Sequence, residues 1–180
     1  MALKNFFYGF NFSRIKAAAP NYYYYELNGE LMLKINKIVN EPELEKQISK
    51  QELIDFLHMH LDQFGDSKAA ISKCIDFAFS KNGGLGGFIL TAYYDDELCG
   101  ALIMNKTGMS EYIPENILVY VAVNSKFRNK GIGKQIVERA LKEADGNIKL
   151  HVEYENPAKR LYERIGFTTK YAEMRFSKEN

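Results

Sequence analysis

The stretch Ile117-Leu-Val-Tyr-Val-Ala-Val123, then Asn124-Ser-Lys-Phe127, then Arg128-Asn-Lys-Gly-Ile-Gly-Lys134 decides how this chain is read. The apolar, β-branched run has the character of a strand. A basic loop with two glycines follows. Beyond it, apolar residues recur at Ile132, Ile136, Val137, Ala140, Leu141 and Ala144, the spacing of one helix face. The unit is strand, loop, helix, with the glycines at the mouth of the helix. The first N–H groups of a helix have no partner within it, and the macrodipole makes that end positive. Gly131 and Gly133 carry no Cβ, so an anion can come close to the backbone. Lys126, Arg128, Lys130 and Lys134 surround the turn, and no acid lies between Asn124 and Lys134. Two readings stand open on this stretch alone: a pyrophosphate cradle, or a solvated basic turn that opens an ordinary helix.

Upstream, Asn28-Gly29 separates residues 22–27 from residues 31–39. Asn-Gly between β-forming runs predicts a hairpin, because both residues tolerate positive φ. The run Tyr22 to Tyr25 reads as a half-buried strand. Before it, residues 1–20 are rich in aromatics (Phe6, Phe7, Tyr8, Phe10, Phe12) and follow neither a helical nor a strand period. Pro42 opens a short helix or turn. Ser49-Lys-Gln-Glu52 is a capping-box pattern that starts a helix ending near Gly65, and Asp66 or Ser67 caps another reaching Ser80. His58 and His60 stand two apart, so they do not converge on a metal. The loop Asn82-Gly-Gly-Leu-Gly-Gly87 precedes a strand, not a helix, and reads as a flexible connection. Residues 88–94 and 98–105 form a second hairpin. After the central unit come a strand at 148–152, a helix opened by Asn156 and Pro157, and a last strand at 171–176. Parallel strands need a crossover, so the strand before the glycine loop and the strand after its helix lie parallel, while the hairpins are antiparallel.

Composition narrows the class. The 180 residues, 46% of them hydrophobic, suit one domain with a sizeable core. No run approaches the roughly 20 apolar residues of a spanning helix. The N-terminus shows no secretory pattern, and Met1-Ala2 lacks the glycine that myristoylation needs. Cys74 and Cys99 form no CxxC pair and read as small buried residues. The expectation is a cytoplasmic protein with no membrane attachment and no metal. A net charge of +1 argues against a general nucleic-acid binder, since the positive charge is local to the glycine loop.

With these elements in place, residues 31–176 resemble the GNAT superfamily of acyl-CoA-dependent N-acetyltransferases. Two signatures carry the likeness. The first is the acyl-CoA loop, Q/R-x-x-G-x-G/A in the family and Arg128-Asn-Lys-Gly131-Ile-Gly133 here. The second is Leu150-His-Val152, Asn156, Ala158 and Leu161-Tyr162, continuing into Ile165-Gly166-Phe167. The resemblance implies an α/β (α+β) fold: a mixed, mostly antiparallel central sheet flanked by helices, with a splayed parallel strand pair that binds acyl-CoA. Residues 1–180 form a single domain on this reading, with 31–176 as the common core and 1–30 as an extra N-terminal aromatic hairpin segment.

The resemblance also implies a site. The pyrophosphate of acetyl-CoA lies on the amides of Arg128, Asn129, Lys130, Gly131, Ile132, Gly133 and Lys134. Pantetheine runs along the exposed edge of the preceding strand, meeting main-chain groups of Val121 and Val123 in a manner similar to strand addition. Asn156 lies near pantetheine, although Asn before Pro is also a good N-cap. Tyr162 is the catalytic acid that protonates the departing thiolate, an unperturbed phenol being protonated at neutral pH. Packing is its competing role, since it lies on the apolar face of its helix. Histone-acetylating relatives carry a glutamate general base where this chain has Ile117. Glu115, Glu153 and Tyr120 are the alternatives, and none is assigned. The implied activity is transfer of acetyl from acetyl-CoA to a primary amine of a small-molecule or peptide acceptor, by direct attack, with a homodimer as a possible assembly. The competing reading is a catalytically inactive acyl-CoA-binding or partner-binding module. A P-loop nucleotide site fits poorly, because Gln135 follows Lys134 where Ser or Thr is required.

Overall fold

The computed structural model describes residues 14–19, 22–27 and 30–178, with side chains from residue 33 onward. Among these, seven strands form one sheet in sequence order: β1 (Arg14–Ala19), β2 (Tyr22–Leu27), β3 (Glu30–Ile38), β4 (Gly87–Tyr94), β5 (Glu97–Lys106), β6 (Asn116–Val123) and β7 (Ile148–Leu150). Neighbours are antiparallel from β1 to β6, and β6 and β7 are parallel. This is the mixed, mostly antiparallel sheet that the sequence predicts. The aromatic residues 6–12 and the Asn28-Gly29 turn lie outside the described residues, but β2 and β3 flank that turn as hairpin partners. The strand β1 is not legible in the sequence. Its backbone pairs with the edge of β2 without a period-2 pattern to announce it.

Helices cover both faces. On one side α1 (Glu41–Glu45), α2 (Lys50–Leu61) and α3 (Lys68–Ala78) bury Leu44, Leu53, Leu57, Ile71 and Ile75 against Ile38, Ile89, Ala101 and Ile103. On the other, α4 (Ile132–Glu143) and α5 (Lys159–Ile165) bury Ile132, Ile136, Val137, Ala140 and Tyr162 against Leu90, Leu102, Met104 and Leu118. Strands buried on both faces read as nearly continuous apolar runs, as β5 does. Each fully buried Leu or Ile contributes roughly 1.5–3 kcal/mol. Three helix starts are fixed by side-chain caps. Asn40 Oδ1 accepts from Glu43 N–H at 2.9 Å, and Ser67 Oγ accepts from Ala70 N–H at 3.3 Å. The capping box of α2 is complete: Glu52 N–H donates to Ser49 Oγ at 3.2 Å, and Ser49 N–H donates to Glu52 Oε2 at 2.8 Å.

The strand β6 carries the feature that shapes the site. Ile103 pairs with Tyr120 and Met104 with Leu118, so Val119 is the extra residue of a β-bulge. The alternation of faces shifts there. Leu118 packs on the α4 side, Val119 and Tyr120 both pack on the α2 and α3 side, and Val121 returns to the α4 side. Pairing with β7 covers only Asn116–Leu118 against Ile148–Leu150. Beyond Leu118 the two parallel strands part, which is the splay expected from the resemblance. Asn124 N–H donates to Cys99 O at 2.9 Å, toward β5. Successive residues alternate direction, so Val123 and Val121 aim their N–H and C=O groups at the open edge.

Three local expectations need correction. The loop 82–87 is packed tightly instead of being a loose connection: Gly86 N–H donates to Phe77 O at 3.1 Å, and Lys106 N–H donates to Gly86 O at 2.8 Å. The strand predicted at 148–152 ends at Leu150. No strand forms at 171–176, where Met174 is 94% exposed and Phe176 is 90% exposed. Its alternating pattern suits a strand, but a strand also needs an edge to pair with, and the three-residue β7 offers few ladder bonds.

A Cβ at Gly87 would stand 2.0 Å from Met104 O, whereas at Gly83 it would meet nothing within 4 Å. Gly87→Ala should therefore cost about 3 kcal/mol in urea unfolding. Gly83→Ala, at φ +81°, should cost only about 1–2 kcal/mol for its left-handed backbone.

Candidate active site

The end of β6, the glycine loop, the start of α4 and the face of α5 converge. Asn124 Oδ1 accepts from Lys126 N–H at 3.1 Å and opens a 3-10 turn, Ser125–Phe127, whose Phe127 is buried. Two left-handed residues then redirect the chain, Asn129 at φ 63° and Gly131 at φ 78°. Gly131 is the N-cap of α4 and offers no side-chain cap. The first helical bond is Gln135 N–H to Gly131 O at 3.1 Å. Among the described residues, the amides of Asn129, Lys130, Gly131, Ile132, Gly133 and Lys134 donate to no protein group, while Arg128 N–H is engaged by Ser125 O at 3.3 Å. A row of uncapped donors at a helix mouth suits an anion. A Cβ built on Gly133 lies 3.5 Å from Leu161 Cδ2 and 3.6 Å from Val123 Cγ2, so the helix mouth touches both α5 and the tip of β6.

The cations around this loop do not all face it. Arg128 turns back: its Nε donates to Val123 O at 3.2 Å and its Nη2 to His60 O at 2.9 Å. This corrects the picture of Arg128 as a side chain flanking the anion, and it occupies the Val123 carbonyl at the open edge. His60 packs edge-on to Phe56 at 4.6 Å, and burial first, then the Arg128 charge, lower its pKa. Lys130 lies over the rings of Tyr94 and Phe127, 5.3 Å from each centroid. Lys126 and Lys134 reach Glu97 and Glu138 at 3.6 and 3.7 Å, exposed pairs that contribute little stability.

Tyr162 is only 7% exposed and meets Phe167 edge-on at 5.9 Å. Burial pushes its phenol up to about 12. Its hydroxyl has no hydrogen-bond partner among the described residues, so both packing and proton donation are open to one side chain. Asn156 does not cap α5, which begins at Lys159 after Ala158. Its Oδ1 instead accepts from Ala158 N–H at 2.9 Å and fixes the turn before the helix. Beside it lies a cleft of about 410 Å³ lined by Tyr154, Asn156, Lys159, Arg160 and Glu163 among others.

The general-base alternatives fare unequally. Glu115 Oε2 accepts from Asn147 N–H at 2.7 Å, and backbone N–H groups hold its carboxyl below the ordinary range. It braces the start of β6, roughly 26 Å along the strand from Val123. Glu153 is exposed and has no side-chain partner among the described residues. Tyr120 donates to Asp66 Oδ2 at 2.6 Å, and its phenol is pushed up by burial and by that carboxylate. Sequence reading sees Asp66 only as a helix-cap candidate. Its partner is 54 residues away, and no local pattern marks the pair.

A family model for the acetyltransferase (GNAT) domain matches residues 86–169. No curated protein matches the chain in sequence. Among solved structures, the aminoglycoside N-acetyltransferase AAC(6')-Iy in complex with CoA is 13% identical at a TM-score of 0.59, covering 82% of this chain and 95% of that one. AAC(6')-IG from Acinetobacter haemolyticus is 18% identical at 0.54, covering 73% and 95%. Arabidopsis thaliana Naa50, in complex with the bisubstrate analogue CoA-Ac-MVNAL, is 19% identical at 0.56, covering 78% and 86%. At these identities the likeness speaks for the fold, and the family match speaks for the segment that holds the glycine loop and Tyr162. Residues 86–169, from β4 through α5, are therefore a GNAT acetyltransferase domain, and the sheet and helices around them have the GNAT fold.

Proposed function

We propose that this protein transfers an acetyl group from acetyl-CoA to a primary amine by direct attack within a ternary complex. The observation that carries the reading is the row of uncapped amides at residues 129–134, set against the open edge of β6 and the face of α5. Bound acetyl-CoA supplies an acyl group activated as a thioester. The amides of Asn129 to Lys134 hold its diphosphate, with Arg128 shaping the loop through its bond to Val123. The N–H groups of Val121 and Val123 receive the pantetheine arm as an added strand would, and the Val121 N–H stabilises charge that develops on the carbonyl oxygen. Asn156 steadies the turn that leads into α5. The neutral amine forms its C–N bond as the C–S bond breaks; Tyr162, kept protonated by burial, gives its proton to the departing sulfur, and the proton lost by nitrogen passes through water and restores the phenol. CoA and a CoA–peptide conjugate are bound in two of the structural relatives, which supports an acyl-CoA donor. Among the described residues no helix is long and apolar enough to cross a membrane.

Gly133→Ala separates cradle from scaffold. Its Cβ meets neighbours at ordinary contact distance, so stability should change by less than about 1 kcal/mol. The acetyl-CoA dissociation constant should rise roughly tenfold or more, read by titration calorimetry, because the methyl enters the space of the diphosphate. An unchanged constant would rule out the cradle. Tyr162→Phe should lower kcat by about 100-fold and leave acetyl-CoA affinity within about twofold. Because the phenol titrates near 12, it stays a competent acid throughout the neutral and mildly alkaline range. A kcat decline between about pH 8 and 10 that disappears in Tyr162→Phe would contradict this assignment.

A further inference from the structure

The two most exposed large apolar side chains among the described residues, Met174 at 94% and Phe176 at 90%, belong to one segment that acetyl transfer does not use. Residues 168–178 follow α5, lie outside every helix and strand, and are exposed throughout. Their main-chain groups bond to no other main-chain group among the described residues. Yet the segment passes a sheet edge. The last strand of the sheet is β7, and it pairs only with β6. Glu173 Oε2 lies 3.8 Å from His151 Nδ1, just past the end of β7, and no ladder forms there.

In extended form the segment has two distinct faces. Ala172, Met174 and Phe176 share one, bounded by Lys170 and Lys178, while Tyr171, Glu173 and Arg175 share the other. Arg175 Nε donates to Glu173 Oε1 at 2.6 Å, and that bond holds the Glu173 carboxyl below its ordinary range, so both groups are charged at neutral pH. The pattern is self-complementary about Met174. Two copies that pair antiparallel are related by a two-fold axis normal to the ribbon, which keeps each residue on the same face in both copies. An axis through Glu173 or through Arg175 would set like charges directly opposite each other, which is unfavourable. An axis through Met174 sets Glu173 opposite Arg175 twice, Ala172 opposite Phe176 twice, and Met174 opposite itself. Lys170 then meets Lys178, a like-charge pair that ends the ladder at Tyr171 and Ser177.

We propose that residues 171–177 are a homotypic docking strand, on which two copies of this chain pair antiparallel in solution with Met174 on the two-fold axis. Such an interface is isologous and closed, so association stops at a dimer. The driving force is apolar area, because Met174 and Phe176 of both copies leave water together. The paired charges fix the register. Its own β7 is the poorer partner: it offers three residues, whereas a second copy offers the whole of 171–177. A two-stranded ribbon is marginal by itself, so the dimer is a weak one, with a Kd of about 1–100 µM.

The test is a charge exchange between copies. Sedimentation velocity on the full chain, from about 5 to 500 µM, should show a reversible monomer–dimer equilibrium. Glu173→Arg and Arg175→Glu should each raise the dimer Kd at least about tenfold, since each sets like charges opposite twice. An equimolar mixture of these two variants should associate within about threefold of the wild type, because every opposed pair then joins an arginine to a glutamate. An ion pair within one chain cannot be rescued in this way. Met174→Lys should raise Kd at least about tenfold, through like charges on the axis. Melting temperature verifies the fold of each variant. A wild type that stays monomeric at about 500 µM, single variants that dimerise as the wild type does, or a mixture no tighter than its components would each overturn the proposal.

Discussion

Everything at this site follows from the point where the β6–β7 ladder stops. A parallel pair that continued past Leu118 would satisfy the main chain of Val121 and Val123 and close the sheet. The bulge at Val119 and the brevity of β7 prevent that. A buried N–H or C=O left without a partner costs roughly 1–3 kcal/mol. Part of that cost is relieved by Arg128, whose Nε takes the Val123 carbonyl. The remaining open-edge groups are exposed to whatever enters the gap, which makes an interrupted sheet useful as a receptor for an extended chain.

The interruption is affordable because the surrounding packing is rigid. A Cβ on Gly100 would fall 2.4 Å from Ile136 Cδ1, so α4 lies close against β5. Arg139, 3% exposed, pairs with Glu143 at 2.5 Å on the same helix, and Glu143 also meets Lys37 of β3 at 2.8 Å. These contacts fix the direction of α4, and with it the direction in which its uncapped amides point. A helix mouth is a useful anion site only if its aim is constant.

Much of this architecture is legible in the sequence because it depends on short-range chemistry. Pro42, the capping residues Ser49 and Ser67, the β-branched run of β6 and the glycines before α4 each act within a few positions. The parts that escape are those decided by tertiary contact. The glycines at 84 and 87 look like parts of a loose loop, yet backbone atoms of Phe77 and Met104 come too close there for a side chain. Residues 171–176 have the alternation of a strand and no edge to join. The bulge hides in an unbroken apolar run, since a one-residue slip changes faces without changing composition. Arg128 reads as one more cation near a phosphate, but two carbonyls, 5 and 68 residues away, claim its guanidinium. Asp66 is invisible until Tyr120 is folded against it.

That guanidinium joins two halves of the molecule. Through one arm it holds the tip of β6, and through the other the last turn of α2. Release of the Val123 carbonyl would leave Arg128 tied only to α2, so the strand tip and that helix share one tether.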